Sequence, residues 1–438
     1  MTANVPATIY RGHLLFTKKT SSGADLISES DGALLVDDKG AIIAVGGYAD
    51  LKPQNPNATE VSYGDAFIMP GFVDGHLHFP QMAIIGSWGE KLLNWLDKYT
   101  YPEEQKFADN SYAAKWANRF TNALLKNGTT TAGIFSSNHL EATDILFSEA
   151  DRRGLRAVIG KTSMDQNAPS PLCRGPELDG NDQNFLIKKW HRTSKYCSFA
   201  INPRFAISCS EKLLRSLGDL KEKYPDAFVQ THFAENLDEI AAVKALFPKE
   251  KNYLSVYDKF GLLSADTLLG HGIHPTSEEL DLLARKKTAI VHCPSSNNFL
   301  GSGFCKVPSL ISTNQRVCLG SDIGGGTSFS MFASMREAYY IQKQSGSSLT
   351  PATLLHLATH SGSEILNRNT SDSCFIPGLP ADFVVVKWRN SELLSQRLEN
   401  APTDNDRLFA TIILGDDRIV NATYVGGRKV YNQSTHSE

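Results

Sequence analysis

Two histidines one residue apart, His76 and His78, are the first residues whose types and spacing suggest chemistry. They end a short apolar run that follows the turn signal Pro70-Gly71. Because side chains alternate between the two faces of a β-strand, both imidazoles should lie on one face and Leu77 on the other. Two imidazoles on one face supply half of a divalent-metal site. An H-x-H pair alone is a weak signal, so the rest of the chain must provide the other ligands.

Three more polar side chains end strand-like runs further along the chain, namely His232, His271 and Asp322. Taken singly, each has an ordinary explanation, since a lone histidine can pack in a core and Asp322 can cap the glycine-rich turn that follows it. Together with the H-x-H pair, they form a nitrogen and oxygen ligand set suited to zinc and also to iron. Glu235, which follows His232 closely, either starts a helix or reaches back over the metal as a general acid/base.

These residues need elements that bring them to one place. Between about residues 70 and 365, strand-like runs alternate with helix-like runs, and eight strands start near residues 68, 129, 155, 199, 227, 267, 289 and 317. Helices are expected over Ser111–Lys126 and Leu140–Arg153, which end at the stop signals Asn127-Gly128 and Gly154. Eight βα repeats predict an α/β fold of the (β/α)8 TIM-barrel type, in which the C-terminal ends of the strands form the active-site face.

The two ends of the chain have a different, β-rich pattern. The segment LLVDDKGAIIAVG (34–46) predicts a hairpin, and similar short apolar runs recur after residue 381. We therefore expect a small β-sandwich built from both termini, with the alternative that two separate hairpins cover the barrel. The predicted domains are 1–68 and 371–438 for the two parts of the sandwich and 69–370 for the barrel. The aromatic-rich loop after the first strand, which contains Trp88 and Trp95, is expected to cover the site.

The composition excludes several classes of protein. With 41% hydrophobic and 21% charged residues the chain is typical of a soluble globular protein. Its net charge of −3 and lack of a long basic run disfavour nucleic-acid binding. The seven scattered cysteines form no C-x-x-C pair, so a reduced, intracellular protein is expected. With no signal peptide, long apolar span or C-terminal address signal in the sequence, we expect a cytoplasmic protein without a membrane partner.

Several segments in order resemble one known family. The segments PGFVDGHLH (70–78), LLGHG (268–272), HCPSSN (292–297) and GSDIGG (320–325) resemble the amidohydrolase superfamily over nearly the whole chain. Within it, the chain is similar to the guanine deaminase family through Pro80-Gln81 and the segments 92–102, 124–132, 202–214 and 251–263. Gly75 departs from the family pattern, which usually has threonine there.

The resemblance implies one Zn²⁺ per subunit, held by His76, His78, His232 and Asp322. A second metal would need a bridging group, typically a modified lysine at the end of the fourth barrel strand. That strand ends in Pro203-Arg204-Phe205 instead, so a single metal is favoured. Lys161, at the end of the third strand, is the lysine that could challenge this inference.

The resemblance also implies the reaction, the hydrolytic deamination of guanine to xanthine and ammonia in purine catabolism. Zinc would activate the water that attacks C2, Asp322 would orient and deprotonate that water, Glu235 would shuttle protons, and His271 would bind the attacking oxygen. The residues implied in binding guanine are Gln81, Arg204, Phe205, Leu93 and Trp95, together with Glu235 and His271. A homodimer is implied as well.

Two alternatives remain open at this point. The first is another hydrolase of the same fold that acts on a different aminated or halogenated heterocycle, such as a triazine or a pterin. The metal site does not separate these enzymes, whereas Gln81, Arg204 and the region of Trp95 do. The second is a non-catalytic assembly protein, which the presence of the complete ligand set and Glu235 disfavours.

Overall fold

The computed structural model describes residues 7–21, 23–88 and 91–433. The end segments 1–6 and 434–438, which belong to the termini searched for address signals, lie outside the described residues. Among the residues that are described, no helix has both the length and the apolar character that a membrane span requires.

The described residues form fifteen strands. In chain order these are β1 (Ala7–Thr20), β2 (Gly23–Asp37), β3 (Ile42–Gly47), β4 (Thr59–Pro70), β5 (Phe72–His78), β6 (Thr129–Phe135), β7 (Arg156–Ser163), β8 (Cys197–Pro203), β9 (Phe228–Phe233), β10 (Thr267–His271), β11 (Ala289–His292), β12 (Arg316–Leu319), β13 (Phe383–Val386), β14 (Val420–Val425) and β15 (Arg428–Asn432). They divide into one sheet of seven strands and one of eight.

The same residues form seventeen α-helices, most of which lie between or after the strands of the second sheet. They are α1 (Tyr48–Gln54), α2 (Leu92–Trp95), α3 (Tyr101–Glu104), α4 (Asn110–Lys126), α5 (Leu140–Arg153), α6 (Pro176–Trp190), α7 (Glu211–Lys223), α8 (Leu237–Leu246), α9 (Tyr253–Lys259), α10 (Ser277–Lys286), α11 (Pro294–Phe299), α12 (Val307–Ser312), α13 (Met331–Gln344), α14 (Pro351–Leu357), α15 (His360–Leu366), α16 (Glu392–Glu399) and α17 (Asp404–Leu414).

The seven-stranded sheet combines both ends of the chain in the order β15-β14-β13-β4-β1-β2-β3. The predicted hairpin is β2 and β3, which pair antiparallel, and Asp37 closes its turn by accepting the backbone N–H groups of Lys39 and Ala41. The C-terminal strand β13 joins the N-terminal strands by pairing antiparallel with β4. The prediction that both termini build one small β unit is confirmed. The division at residues 68/69 and 370/371 stays a prediction.

The eight-stranded sheet has parallel strands in the order β5 to β12, with a helix after each strand, which confirms the predicted (β/α)8 barrel. The prediction for the first strand needs one correction, because the run that starts at 68 is divided between two sheets. β4 ends at Pro70 in the terminal sheet, and β5 begins at Phe72 in the barrel. Gly71 lies at the transition between the two sheets. Glycine is needed there because a Cβ atom at this position would lie 2.2 Å from Oγ1 of Thr130.

The barrel is closed where β12 meets β5. The N–H of Asp322 donates to the carbonyl of His76 at 2.8 Å, and the N–H of Ser321 donates to Oδ1 of Asp74 at 2.8 Å. A Cβ atom at Gly75 would lie 2.7 Å from Sγ of Cys318, which explains the glycine where the family pattern has threonine. This seam therefore fixes the loop that carries Asp322 against the strand that carries both histidines of the H-x-H pair.

Candidate active site

All six residues expected to perform chemistry lie together at the C-terminal end of the barrel. They are His76 and His78 on β5, His232 on β9, Glu235 just after it, His271 at the end of β10 and Asp322 after β12. All are buried except His232, which is partly buried. His271 (φ 73°) and Asp322 (φ 51°) adopt left-handed backbone conformations, as does Ala234 (φ 49°) next to Glu235. Such conformations are costly for residues other than glycine and cluster at functional sites.

Four of these side chains converge on one point. Nε2 of His78 lies 3.1 Å from Nε2 of His232, and Oδ1 of Asp322 lies 3.3 Å from Nε2 of both His76 and His78. The ring of His232 is oriented by its Nδ1, which is 2.6 Å from the carbonyl oxygen of Arg204. A histidine that donates from Nδ1 to a backbone carbonyl leaves Nε2 as a metal ligand.

The protonation states of the three histidines and Asp322 are those that a bound cation needs. Burial lowers the pKa of His76, brings the pKa of His78 to about 4 and holds the pKa of His232 well below its usual value. Burial opposes ionisation of Asp322, but its contacts with His76 and His78 outweigh this and keep the pKa of its carboxyl low. Nε2 of His76 is buried 3.3 Å from Oδ1 of Asp322, in a geometry that makes no hydrogen bond to it or to another described residue. Neutral imidazoles with free lone pairs beside a carboxylate fit a divalent metal.

A second group of possible ligand atoms overlaps the first and contains Cys293. The donor atoms of His76, His271, Cys293 and Asp322 lie within 4.8 Å of one another, as do those of His76, His78 and His232. Burial raises the pKa of the Cys293 thiol well above its usual value. Because a thiol binds metal as the thiolate, the imidazole and carboxylate groups are the better ligands.

Lys161 does not reach this centre. Its amine is fully buried outside the cluster, 2.6 Å from Oδ1 of Asp179 and 3.6 Å from Oδ2 of Asp182, both on α6. The lysine that could have bridged a second metal is therefore engaged in an ion pair between β7 and its following helix.

Glu235 lies beside the cluster and contacts His271 and Ser302. Its Oε2 lies 3.3 Å from Nε2 of His271, and its Oε1 accepts a hydrogen bond of 3.2 Å from the hydroxyl of Ser302. Burial, with a smaller effect of the Asp322 charge, raises the pKa of Glu235 from 4.5 to about 8. A carboxyl group with this pKa holds a proton at neutral pH and can give it up during a reaction.

The orientation of His271 is set from the opposite side of its ring. Its Nδ1 lies 2.9 Å from Oδ1 of Asn297, which belongs to α11. An amide oxygen only accepts hydrogen bonds, so Nδ1 carries the hydrogen and Nε2 faces Glu235 and Asp322. Asn297 is a residue that the sequence analysis did not single out, although it lies in the segment HCPSSN.

A small pocket lies above the cluster. It is lined by His78, His232, Glu235, His271 and Asp322, by Leu92, Trp95, Leu96, Leu300 and Gly325, and by Gln81, Arg204 and Phe205. Six of the seven residues expected to bind substrate therefore line it. Leu93 is the exception, since its neighbours Leu92 and Leu96 line the pocket whereas Leu93 is only packed against the core. The aromatic loop contributes Trp95, which is buried, whereas Trp88 is 74% exposed.

The model of the amidohydrolase family matches residues 67–430 of the chain. The chain belongs to the amidohydrolase family. It is 37% identical over 430 residues to guanine deaminase of Escherichia coli K12, with 97% of this chain and 98% of that protein aligned. The solved structure of E. coli guanine deaminase has a TM-score of 0.93 and 36% identity, covering 98% of this chain and 99% of that one. The family resemblance inferred from the motifs is confirmed, and the chain is a hydrolase.

A further solved relative is the guanine deaminase of C. acetobutylicum with guanine bound in the active site. It matches with a TM-score of 0.90 and 35% identity, covering 97% of this amidohydrolase and the whole of that chain.

A buried glutamate behind the pocket of this amidohydrolase also escaped the sequence analysis. Glu104, at the end of α3, is buried, and its carboxylate accepts two hydrogen bonds from Nη1 of Arg204, at 2.6 and 2.9 Å. It also accepts a hydrogen bond of 3.0 Å from Nε2 of Gln81. In the sequence, Glu104 is one of two adjacent glutamates in a loop without periodicity, so nothing marked it as a buried group.

Proposed function

We propose that this amidohydrolase deaminates guanine to xanthine and ammonia. The observation that carries the proposal is the pocket in which Arg204 and Gln81 face the same small space as Glu235 and the histidine cluster. Arg204 and Gln81 are suited to the edge of a base, whereas Glu235 and the cluster are suited to hydrolysis. The relatives named guanine deaminase, which match over nearly the whole chain, support the same substrate.

We propose zinc as the metal, held by His76, His78, His232 and Asp322. Zinc held by these residues would lower the pKa of a bound water toward ~7 and would thereby supply a nucleophile at neutral pH. The neutral imidazoles and the ionised carboxylate described above support this ligand set.

The protein's own groups then handle the protons. Asp322, beside the attacking water, accepts its proton as the oxygen attacks C2 of guanine. Glu235 begins protonated and donates to ring N3, so that negative charge does not accumulate on the ring. The ionised Glu235 then takes the proton of the new C2 hydroxyl and delivers it to the departing ammonia, and the proton held by Asp322 returns Glu235 to its protonated form. Nε2 of His271, which faces the cluster, forms a hydrogen bond with the attacking oxygen and so stabilises the tetrahedral intermediate.

Recognition of a neutral planar base calls for stacking and hydrogen bonds at its edge. The guanidinium of Arg204 donates to O6 of guanine and faces the amine of adenine unfavourably, because both would be donors. Phe205 and Trp95 supply apolar walls for the ring.

The test is an ultraviolet assay of the purified protein with guanine, run beside adenine, cytosine and a triazine, with metal analysis of the same sample. We expect conversion of guanine alone and about one zinc per chain. Bound metal without guanine turnover would overturn the substrate assignment and direct attention to other aminated heterocycles. Absence of both metal and turnover would overturn the mechanism.

We further propose a cytoplasmic homodimer that acts in purine breakdown. All seven cysteines lie in the described part of the chain and are free thiols, which supports a reducing compartment. The dimer rests on family resemblance, and analytical ultracentrifugation of the purified protein tests it.

A further inference from the structure

Glu104 lies directly behind the two residues proposed to read guanine and touches both of them. Its carboxylate accepts from Nε2 of Gln81 at 3.0 Å and from Nη1 of Arg204 at 2.6 Å. Gln81 is 2%, Arg204 3% and Glu104 3% exposed, so water does not compete for these contacts. Glu104 thereby joins three separate parts of the barrel mouth, which are the turn after β5, the end of α3 and the end of β8.

The chemistry of these contacts fixes which atom Gln81 can show to a ligand. A carboxylate paired with a guanidinium only accepts hydrogen bonds, whereas an amide has one donating and one accepting end. Gln81 must therefore turn its nitrogen toward Glu104 and its oxygen away. With glutamine or alanine in place of Glu104, nothing would impose this orientation.

The position of Gly324 agrees with this orientation. Gly324 (φ 123°) follows Asp322 closely and precedes Gly325, which lines the pocket. A Cβ atom at Gly324 would lie 2.0 Å from Oε1 of Gln81. The amide oxygen thus lies against a backbone that has no side chain, while the amide nitrogen contacts Glu104.

We infer that Glu104 is a positioning residue for base selection, because it holds Gln81 as a hydrogen-bond acceptor beside the donor Arg204. An adjacent donor and acceptor complement a lactam edge, which is a carbonyl next to a ring N–H, as in O6 and N1–H of guanine. A base with an unprotonated N1 would present its lone pair to the amide oxygen and be rejected. The inference rests on the proposed function, because that function places guanine's edge at these two residues.

The test uses two ligands that have no 2-amino group and therefore cannot be deaminated at C2. Hypoxanthine carries the lactam edge, whereas purine lacks O6 and has an unprotonated N1. Isothermal titration calorimetry of the metal-loaded protein gives the preference, defined as the Kd of purine divided by the Kd of hypoxanthine. In E104Q, the carbonyl oxygen of the new side chain remains with Arg204, and its amide nitrogen faces Gln81. Because two amide nitrogens are both donors, the amide of Gln81 must then flip and turn its oxygen toward residue 104. We expect the preference to fall by about 10- to 100-fold.

Two further variants distinguish the loss of Gln81 orientation from general damage to the fold around the pocket. E104D keeps an acceptor opposite Gln81 and a charge opposite Arg204, so it should keep the preference even where both ligands bind more weakly. E103Q makes the same chemical change one position earlier, at a buried glutamate that bonds Lys106 and Tyr112 instead, and should leave the preference unchanged.

Three results would overturn the inference. They are an unchanged preference in folded E104Q, a lost preference in folded E104D, and an equal loss in E103Q. If E104Q does not fold, E104A takes its place, because alanine also leaves nothing to orient Gln81; an unchanged preference in folded E104A would overturn the inference. Guanine turnover by the unaltered protein is measured separately, so failure of the proposed function is distinguishable from failure of this inference.

Discussion

Replacement of Glu235 by glutamine should remove the proton donor while keeping the shape of the pocket. Glutamine is isosteric and can still accept the hydrogen bond of Ser302 at the position of Oε1. General acid–base catalysis contributes about 10²- to 10⁴-fold, so we expect kcat for guanine to fall by that factor in E235Q. The KM for guanine should change little, because Arg204 and Gln81, which are proposed to bind the edge of the base, are untouched.

The pKa of Glu235 predicts how the activity depends on pH. With a pKa of about 8, roughly nine in ten Glu235 side chains hold a proton at pH 7, whereas the usual value of 4.5 would leave roughly one in three hundred protonated. Because the acid is the active form, kcat/KM should fall as pH rises through about 8. The decline of absorbance as guanine becomes xanthine is followed from pH 6 to about 10. It measures both kcat and the alkaline limb of the profile, which is the fall of kcat/KM above about pH 8.

A second variant tests the same reasoning without removing the acid. The Ser302 hydroxyl stabilises the ionised form of Glu235 and so lowers its pKa. S302A should therefore move the alkaline limb to higher pH while it retains most of the activity. The reasoning is refuted if E235Q keeps more than about a tenth of the wild-type kcat, or if its pH profile still falls above pH 8.

Further predictions address the metal, the substrate edge and the barrel. H232A should lose bound metal on dialysis, whereas H292A, which alters a buried strand-end histidine outside the cluster, should retain it, as metal analysis will show. R204K should lower kcat/KM for guanine by about 10- to 100-fold, mainly through KM, because an ammonium does not reproduce the planar guanidinium; an unchanged KM would contradict the assigned role. K161M should destabilise the fold by about 3–5 kcal/mol in urea unfolding, because it leaves Asp179 buried without its partner, yet should leave the metal content of the folded protein unchanged. The control is K188M, which replaces an exposed lysine on α6, the helix that carries Asp179.

The sequence was sufficient for features that depend on local pattern. The eight barrel strands, α4 within one residue of the prediction and α5 with both predicted ends follow from periodicity and from stop signals such as Gly154, which has φ 77°. The convergence of His76 with residues as distant as Asp322 was also predictable, because a barrel brings all strand ends to one face.

Features that depend on the path of a loop were not predictable. The segment after β5 forms short helical turns, and their phase decides that Leu92 and Leu96 rather than Leu93 line the pocket. The burial of Glu104 has the same origin, since only the folded loop brings it to Arg204 and Gln81. The break at Gly71 was missed because the apolar pattern continues through it into a second sheet.

The joining of both chain ends in one sheet has a consequence for synthesis on the ribosome. β4 pairs on one side with β1, which is made early, and on the other with β13, which begins only at Phe383. During translation of the whole barrel, that second side of β4 has unpaired backbone groups, and such edges invite pairing with other chains. β4 continues through Gly71 into β5, so this open edge directly precedes the strand that carries His76 and His78. The nascent chain should therefore depend on chaperones until translation ends.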